Sequence, residues 1–252
     1  KEKQSSKGPK RGLGLACTVH VSGKRHFGDY DGGSATIKIN EDGKVLILSG
    51  EGESGQGAAT AMCQIAAEEI GVPLDDVNYS EADTDLTTFC LGAFGSRLTY
   101  IAGNAVKDAA SKAKGQLLET AAEMLEASPD DLVSQDGRIF VRGAEAKTVS
   151  VADVARARLF RRGGAPIVAS GSFDADSVLQ DEARYGNESG AYNFGCQAAE
   201  VEVDPQTGQV KVLQYAAASD CGTVINPLGA EGQVEGSVAQ GLGYALIEGL
   251  KV

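Results

Sequence analysis

A glycine-rich loop, Gly50-Glu-Gly-Glu-Ser-Gly-Gln-Gly57, separates two segments with different hydrophobic patterns. Residues 34–40 alternate between apolar and polar side chains, and residues 44–49 are largely apolar, so together they predict a β-hairpin. Residues 58–70 have the composition of a helix, and Gly71 directly after them is a typical helix end. The loop is therefore predicted to join a strand to the N-terminus of a helix.

The overall composition is that of a globular protein with an unusual glycine content. Of 252 residues, 42% are hydrophobic and 23% are charged, and 33 are glycines without a fixed period. This excludes collagen and indicates backbone that turns sharply or approaches a ligand closely. The net charge of −12 argues against nucleic acid or an anionic membrane surface as a partner. Neither a membrane span nor a signal peptide is recognisable, so we expect a cytoplasmic location.

Cysteine usage agrees with that expectation. The five cysteines are scattered, and no two of them form a C-x-x-C pair. This argues against a disulfide framework, a zinc site or an iron–sulfur cluster held by this chain, and no metal ligand is assigned within it. Cys221 lies beside a glycine in a predicted loop and is the cysteine to test for reactivity, although a small buried hydrophobe is the preferred interpretation of each.

The remaining elements suggest an α+β fold with an internal repeat. In the last third, residues 199–204 and 209–215 predict a second hairpin, which a glycine-rich loop connects to a helix from about Glu231. We therefore expect two similar hairpin–loop–helix subdomains that face each other across one site. Between them, the pattern predicts a helix from about residue 97 to 127, a hairpin of residues 132–133 and 138–141, a helix from Ser150 to Phe160, and a long loop over residues 174–193.

The predicted domain boundaries follow from this repeat. Residues 1–11 are assigned to a polar tail, residues 12–193 to the first subdomain with its insertions, and residues 194–252 to the start of the second. The chain ends while still apolar and patterned and begins without a methionine. We therefore expect it to be a piece of a longer polypeptide.

Residues 50–55 match the G-x-G-x-x-G fingerprint of dinucleotide-binding loops, in the strand-to-helix context that the fingerprint requires. Backbone N–H groups at a helix N-terminus bind phosphate well. However, Glu51 and Glu53 would place negative charge beside a pyrophosphate, and the preceding strand belongs to an antiparallel hairpin. A phosphate site and a plain glycine turn therefore both remain open.

Two further groups of residues could contact a ligand. Gln56 lies between Gly55 and Gly57, where an amide offers a donor and an acceptor beside backbone that a ligand can approach closely. Gln233 and Gln240 lie seven residues apart and therefore on one face of the last predicted helix. The alternative is that all three glutamines are exposed amides without a ligand.

The segment Phe94-Gly-Ser-Arg97 is the other candidate. Gly95 would permit close approach, Ser96 could cap a helix or bind a phosphate oxygen, and Arg97 could bind phosphate through two nitrogens. The alternative is a capped helix with an exposed arginine.

Taken together, these segments resemble the molybdenum-binding large subunit of the xanthine dehydrogenase and aldehyde oxidase family, the molybdenum hydroxylases. The matching segments occur in the order of the family and are Gly52-Glu-Ser-Gly-Gln-Gly57, Gly92-Ala-Phe-Gly-Ser-Arg97, Ala198-Ala-Glu-Val-Glu-Val-Asp-Pro205, Val224-Ile-Asn-Pro227 and Gly232-Gln-Val-Glu-Gly-Ser-Val-Ala-Gln-Gly-Leu-Gly-Tyr244.

The resemblance implies a molybdopterin cofactor with molybdenum, in its cytosine dinucleotide form, held between two similar subdomains. It implies an oxidoreductase that hydroxylates an aldehyde, an N-heterocycle or carbon monoxide, or reduces an aromatic acyl-CoA. Iron–sulfur clusters and FAD are implied on other domains or subunits, which would be partners together with the remainder of the large subunit and a small-molecule substrate. The implied cofactor-binding residues are Gly55, Gln56, Gly57, Phe94, Gly95, Ser96, Arg97, Gln233 and Gln240, with Glu235 in a supporting position.

The resemblance also implies that the general-base glutamate lies beyond residue 252, so no catalytic residue is assigned within the chain. The chain alone is therefore expected to be incomplete and inactive. Two alternatives remain open: a nucleotide-binding oxidoreductase that uses residues 50–55, and a non-catalytic structural piece.

Overall fold

The computed structural model describes residues 8–25, 30–183 and 185–249. It divides the chain into two compact units, of which one comprises Lys1–His20 with Tyr192–Val252 and the other Val21–Ala191. Helices and strands are mixed in the described chain, which confirms the predicted α+β class.

The strands are β1 (Lys10–Val21), β2 (Gly32–Ile39), β3 (Val45–Leu48), β4 (Val77–Tyr79), β5 (Leu132–Gln135), β6 (Arg138–Val141), β7 (Ala144–Ser150), β8 (Ile167–Asp174), β9 (Tyr192–Val203) and β10 (Val210–Asp220). The helices are α1 (Ala58–Ile70), α2 (Gly103–Leu125), α3 (Val151–Phe160) and α4 (Pro227–Leu246).

The unit Val21–Ala191 is built on a four-stranded sheet in the order β4-β3-β2-β8. Strand β2 is antiparallel to both β3 and β8, which confirms the first predicted hairpin, whereas β3 and β4 are parallel. Helix α1 begins and ends where the pattern predicts, and Gly71 ends it in the left-handed conformation. Strand β8 was not predicted, and most of it lies before the predicted loop over residues 174–193.

Helix α2 packs closely on this sheet because its buried face consists mostly of alanine. At Gly171 of β8, an added Cβ would lie 2.3 Å from the backbone nitrogen of Ala109 and 2.5 Å from the carbonyl oxygen of Ala105. Glycine at this position therefore permits the close approach of helix and strand. A π-helical turn, Leu98–Ala102, precedes α2, so the regular helix starts six residues later than predicted.

A small antiparallel sheet in the order β5-β6-β7 follows α2. Asp136 and Gly137, which join the two arms of the predicted hairpin, both have positive φ, 50° and 74°, as a two-residue Asp-Gly hairpin turn requires. Strand β7 was not predicted. The predicted helix from Ser150 to Phe160 is confirmed as α3, and Ser150 caps it, since its hydroxyl oxygen accepts a hydrogen bond from the backbone nitrogen of Asp153 at 3.0 Å.

The other unit contains a three-stranded sheet in the order β1-β9-β10 and helix α4. The predicted second hairpin is confirmed as the antiparallel pair β9–β10. Helix α4 begins at Pro227, four residues before the predicted start, because the side chain of Asn226 caps it by accepting from Gly229.

The position of β1 differs from the predicted domain boundaries. Lys10 and Arg11 were assigned to the polar tail and the following residues to the first subdomain, but β1 is hydrogen-bonded to β9. Apolar residues alternate along β1, a period of two that marks a strand. Because the strand pairs with a segment far along the chain, residues up to His20 group with the last third of the chain.

Candidate functional site

The loop before α1 is folded by its own side chains. The Oε1 atom of Gln56 accepts hydrogen bonds from the backbone nitrogen and the hydroxyl of Ser54, at 2.7 and 2.9 Å, while Nε2 donates to the carbonyl oxygen of Gly52 at 2.9 Å. Gly55 and Gly57 have φ values of 100° and 81°, which favour glycine. A Cβ on either would have no neighbour within 4 Å in the described chain, so there is open space beside the backbone.

Glu53 caps the N-terminus of α1. Its carboxylate accepts hydrogen bonds from the backbone nitrogens of Gly55, Gly57 and Ala59, at 2.7, 3.1 and 3.0 Å. The N–H of Ala59, followed by those of Gly57 and Gly55, holds the pKa of Glu53 below its ordinary value. The carboxylate thus occupies backbone donors at the N-terminus of α1, including that of Gly55, the last glycine of the fingerprint.

Arg97 is fully buried, so the exposed-arginine alternative is wrong. Its Nε atom lies 3.2 Å from Oδ1 of Asp31, and its Nη1 atom lies 3.1 Å from Oε1 of Glu51. Its Nη2 atom donates to the carbonyl oxygen of Gly32 at 2.6 Å. Both carboxylates are only 1% exposed, so one guanidinium bridges two buried acids and a backbone carbonyl.

Glu51 extends this cluster toward Cys90. Its second oxygen, Oε2, accepts from the thiol of Cys90 at 2.8 Å, and its carbonyl oxygen accepts from the Tyr79 hydroxyl at 2.7 Å. Burial, the hydrogen bond to Glu51 and the charge of Glu51 raise the pKa of Cys90 to about 11. The thiol of Cys90 is therefore protonated at neutral pH and acts as a hydrogen-bond donor.

The segment Phe94–Arg97 forms a strained turn. The Phe94 ring lies 5.7 Å from the guanidinium carbon of Arg97, and the carbonyl oxygen of Gly95 accepts from the backbone nitrogen of Gly23 at 2.8 Å. Ser96 has φ 54°, a left-handed conformation that is uncommon for serine, and its side chain is exposed. A Cβ on Gly95 would meet nothing within 4 Å among the described residues.

The predicted glutamines of the last helix lie on α4. Gln233 and Gln240 are both exposed and share one helical face, and Glu235 is exposed as well. The structure therefore brings Gln56 and the Phe94–Arg97 segment together within one unit, while the α4 glutamines belong to the other unit. Sequence reasoning missed the buried Asp31 and the half-buried Cys90 as members of the cluster around Arg97 and Glu51.

The part of the chain that the structure describes contains neither a metal-ligand cluster nor a membrane-spanning helix. No group of three His, Cys, Asp or Glu side chains lies close enough to hold a metal ion. Within the same residues, no helix is both long and apolar enough to cross a membrane.

Comparisons with known proteins agree on one protein family. The family described as the molybdopterin cofactor-binding domain matches residues 1–252. The nicotine 6-hydroxylase large subunit of Paenarthrobacter nicotinovorans is 35% identical over 246 residues, which are 95% of this chain and 29% of that protein. The putative xanthine dehydrogenase molybdenum-binding subunit XdhA of Escherichia coli K12 is 35% identical over 243 residues, 95% of this chain and 30% of that protein.

A solved structure agrees with these relatives. The crystal structure of quinoline 2-oxidoreductase from Pseudomonas putida 86 superposes with a TM-score of 0.79 at 31% identity, covering 94% of this chain and 30% of that chain. The chain thus spans less than a third of the length of the relatives that it matches.

Proposed function

The chain belongs to the molybdopterin cofactor-binding domain family, and we propose that it forms part of the cofactor-binding region of a complete molybdenum hydroxylase. The relatives named above are oxidoreductases or their subunits, and they match nearly the whole chain. When bound, the molybdenum cofactor supplies the oxidation and reduction chemistry. The residues of this chain bind and orient that cofactor.

The observation that carries this proposal is the pairing of two glycine-rich loops that leave open space beside their backbone. At Gly55, Gly57 and Gly95 the backbone is left-handed, and a Cβ would have no neighbour within 4 Å among the residues that the structure describes. Gln56 keeps a second Nε2 hydrogen beyond the one donated to Gly52, and the Ser96 side chain is exposed. An amide side chain, a hydroxyl and backbone that a ligand can approach closely suit a bulky, polyanionic pterin.

We propose the same cofactor-binding residues that the resemblance in sequence implies. These residues supply uncharged donors or shape the loops that carry them, and they are Gly55, Gln56, Gly57, Phe94, Gly95, Ser96, Arg97, Gln233 and Gln240. We assign the cytosine dinucleotide form of the cofactor to the site and no catalytic residue to the chain.

For the complete protein we propose hydroxylation of an aldehyde, an N-heterocycle or carbon monoxide, or the related reduction of an aromatic acyl-CoA. We further propose partner subunits or domains that carry iron–sulfur clusters and FAD, because electrons must leave the molybdenum site when a substrate is hydroxylated and reach it when a substrate is reduced. A cytoplasmic location fits the five free cysteines of the chain.

The nucleotide-binding alternative is weaker. Because the Glu53 carboxylate accepts from the backbone nitrogens of Gly55, Gly57 and Ala59, a dinucleotide phosphate at this loop would have to displace a charged cap. Metal and pterin analysis of the purified complete protein tests the two candidates. We expect molybdenum and pterin in equal amounts; active protein without molybdenum would overturn the proposal, and bound nicotinamide in its place would favour the alternative.

A further inference from the structure

One buried side chain ties the two candidate cofactor loops to each other. Arg97 closes the loop that contains Phe94, Gly95 and Ser96, and its guanidinium reaches Glu51, which opens the loop that contains Gln56. Glu51 adjoins Gly52, whose carbonyl oxygen accepts from Nε2 of Gln56 at 2.9 Å. A continuous path of covalent and hydrogen bonds therefore runs from Arg97 to the Gln56 amide.

The guanidinium also anchors both loops to the sheet. It pairs with Asp31 and donates to the carbonyl oxygen of Gly32, the first residue of β2. It lies 3.5 Å from the carbonyl oxygen of Gly92, at the other end of the Phe94 loop. Arg97 thus contacts three separate segments at once, and the planar fork of its nitrogens is what allows this.

The charges make this arrangement dependent on arginine. Asp31 and Glu51 are both buried, and one guanidinium faces the pair, while Oδ2 of Asp31 has no hydrogen-bond partner among the described residues. Gly23 packs against the cluster, because a Cβ there would lie 2.7 Å from that same oxygen. Without the guanidinium, two buried carboxylates would lie close together without compensation, and the segments that carry them would separate.

We propose that Arg97 is a positioning residue: its buried contacts with Glu51, Asp31 and Gly32 hold the Gln56 loop and the Phe94 loop in the arrangement that receives the cofactor. This rests on the proposed function. Because the side chain is fully buried and its nitrogens contact protein acceptors, Arg97 acts through the loops and not by contact with a phosphate of the cofactor.

The test uses the complete protein that contains this chain, isolated from a host that cannot synthesise the pterin. The variant Arg97→Lys keeps the charge but replaces the fork with a single ammonium. We expect hydrogen exchange of the backbone amides in residues 50–57 and 92–97 to rise at least about tenfold, since both loops would open more often. The matched control is Arg161→Lys, which alters an exposed ion pair with Glu123 and should leave exchange in both loops unchanged.

A second measurement separates positioning from cofactor contact. In the cofactor-replete protein, Gln56→Ala should lower the bound pterin while exchange at residues 92–97 of the cofactor-free protein stays as in the wild type. Arg97→Lys should lower the bound pterin and raise the exchange in both loops. A folded Arg97→Lys protein with unchanged exchange in either loop overturns the proposal, whatever its cofactor content.

If Arg97→Lys does not fold, Glu51→Gln decides, because it weakens one arm of the cluster and leaves the pair with Asp31 in place. Faster exchange at residues 50–57 in this variant supports the proposal, and unchanged exchange overturns it. A wild-type protein that lacks molybdenum and pterin when produced in a competent host would instead refute the proposed function, and the exchange data would remain interpretable.

Discussion

The substitution Gly171→Ala tests the close packing of α2 on β8, in the unit that also contains the Phe94 loop. The added Cβ would lie 2.3 Å from the backbone nitrogen of Ala109 and 2.5 Å from the carbonyl oxygen of Ala105, well inside the 3.4–4 Å of ordinary contact. Backbone atoms cannot rotate away as a side chain can. Helix α2 would therefore have to move away from the sheet.

The expected cost follows from this geometry. An extra methylene group in a packed core usually costs about 1–3 kcal/mol, and contact with helix backbone places this case at the upper end or above it. A loss of about 3 kcal/mol corresponds to an increase of roughly a hundredfold in the exchange of amides that open with this core. Exchange of the buried amides of β8 and α2, measured in the complete protein, gives this free energy locally.

Gly115→Ala is the matched control on the same helix. Gly115 is exposed, and a Cβ there would meet nothing within 4 Å among the described residues. Because alanine is the better helix former by about 1 kcal/mol, we expect exchange in α2 to be unchanged or slower. Equal exchange in the Gly171→Ala and Gly115→Ala proteins would refute the close packing of α2 on β8.

Three other predictions concern Glu53, the cysteines and Gln240 of helix α4. The pKa of Glu53 is lowered, so the stability that Glu53 contributes is present above its ordinary pKa and is lost as pH falls through the lowered value. The thermal midpoints of the wild type and of Glu53→Gln should therefore differ near neutral pH and converge in acid. A constant difference between the two midpoints across this pH range would contradict the prediction. Iodoacetamide at pH 8 should label the exposed Cys221 and spare the half-buried Cys90, whose pKa is raised to about 11, as mass spectrometry of the peptides would show. Equal labelling would refute the assignment of Cys90 as a protonated hydrogen-bond donor. Gln240→Ala in the complete protein should lower cofactor retention, measured as pterin per chain, and unchanged retention would remove Gln240 from the site.

The elements that depend on residues close together in the sequence could be predicted. The hairpin β2–β3, helix α1 and the Asp136-Gly137 turn each carry a local signal, respectively an alternating pattern, a helix stop and a residue pair that favours positive φ. Strands β1 and β8 were not predicted. Strand β1 does carry an alternating pattern, but each of the two strands gains its hydrogen bonds from a strand more than a hundred residues away, so the sheet that it joins has no local signal. Strand β8 also alternates small residues, which leave only a weak hydrophobic pattern.

In the candidate site, too, the local features could be predicted and the long-range contacts could not. Glycine spacing drew attention to Gln56 and to the Phe94 loop, because left-handed backbone is a local requirement. The burial of Arg97 could not be read from its neighbours, since its acidic partners Asp31 and Glu51 are 66 and 46 residues away in sequence. A lone arginine after a glycine and a serine has the same appearance whether it binds a ligand or an internal pair of carboxylates.

The central claim is that this chain contributes to a molybdopterin site, and the molybdenum and pterin content of the purified complete protein tests it most directly. Elemental analysis for molybdenum, together with the fluorescence of the oxidised pterin, should give about one of each per chain. The Gln56→Ala protein should contain less of both. Fully active protein with neither molybdenum nor pterin would contradict the account.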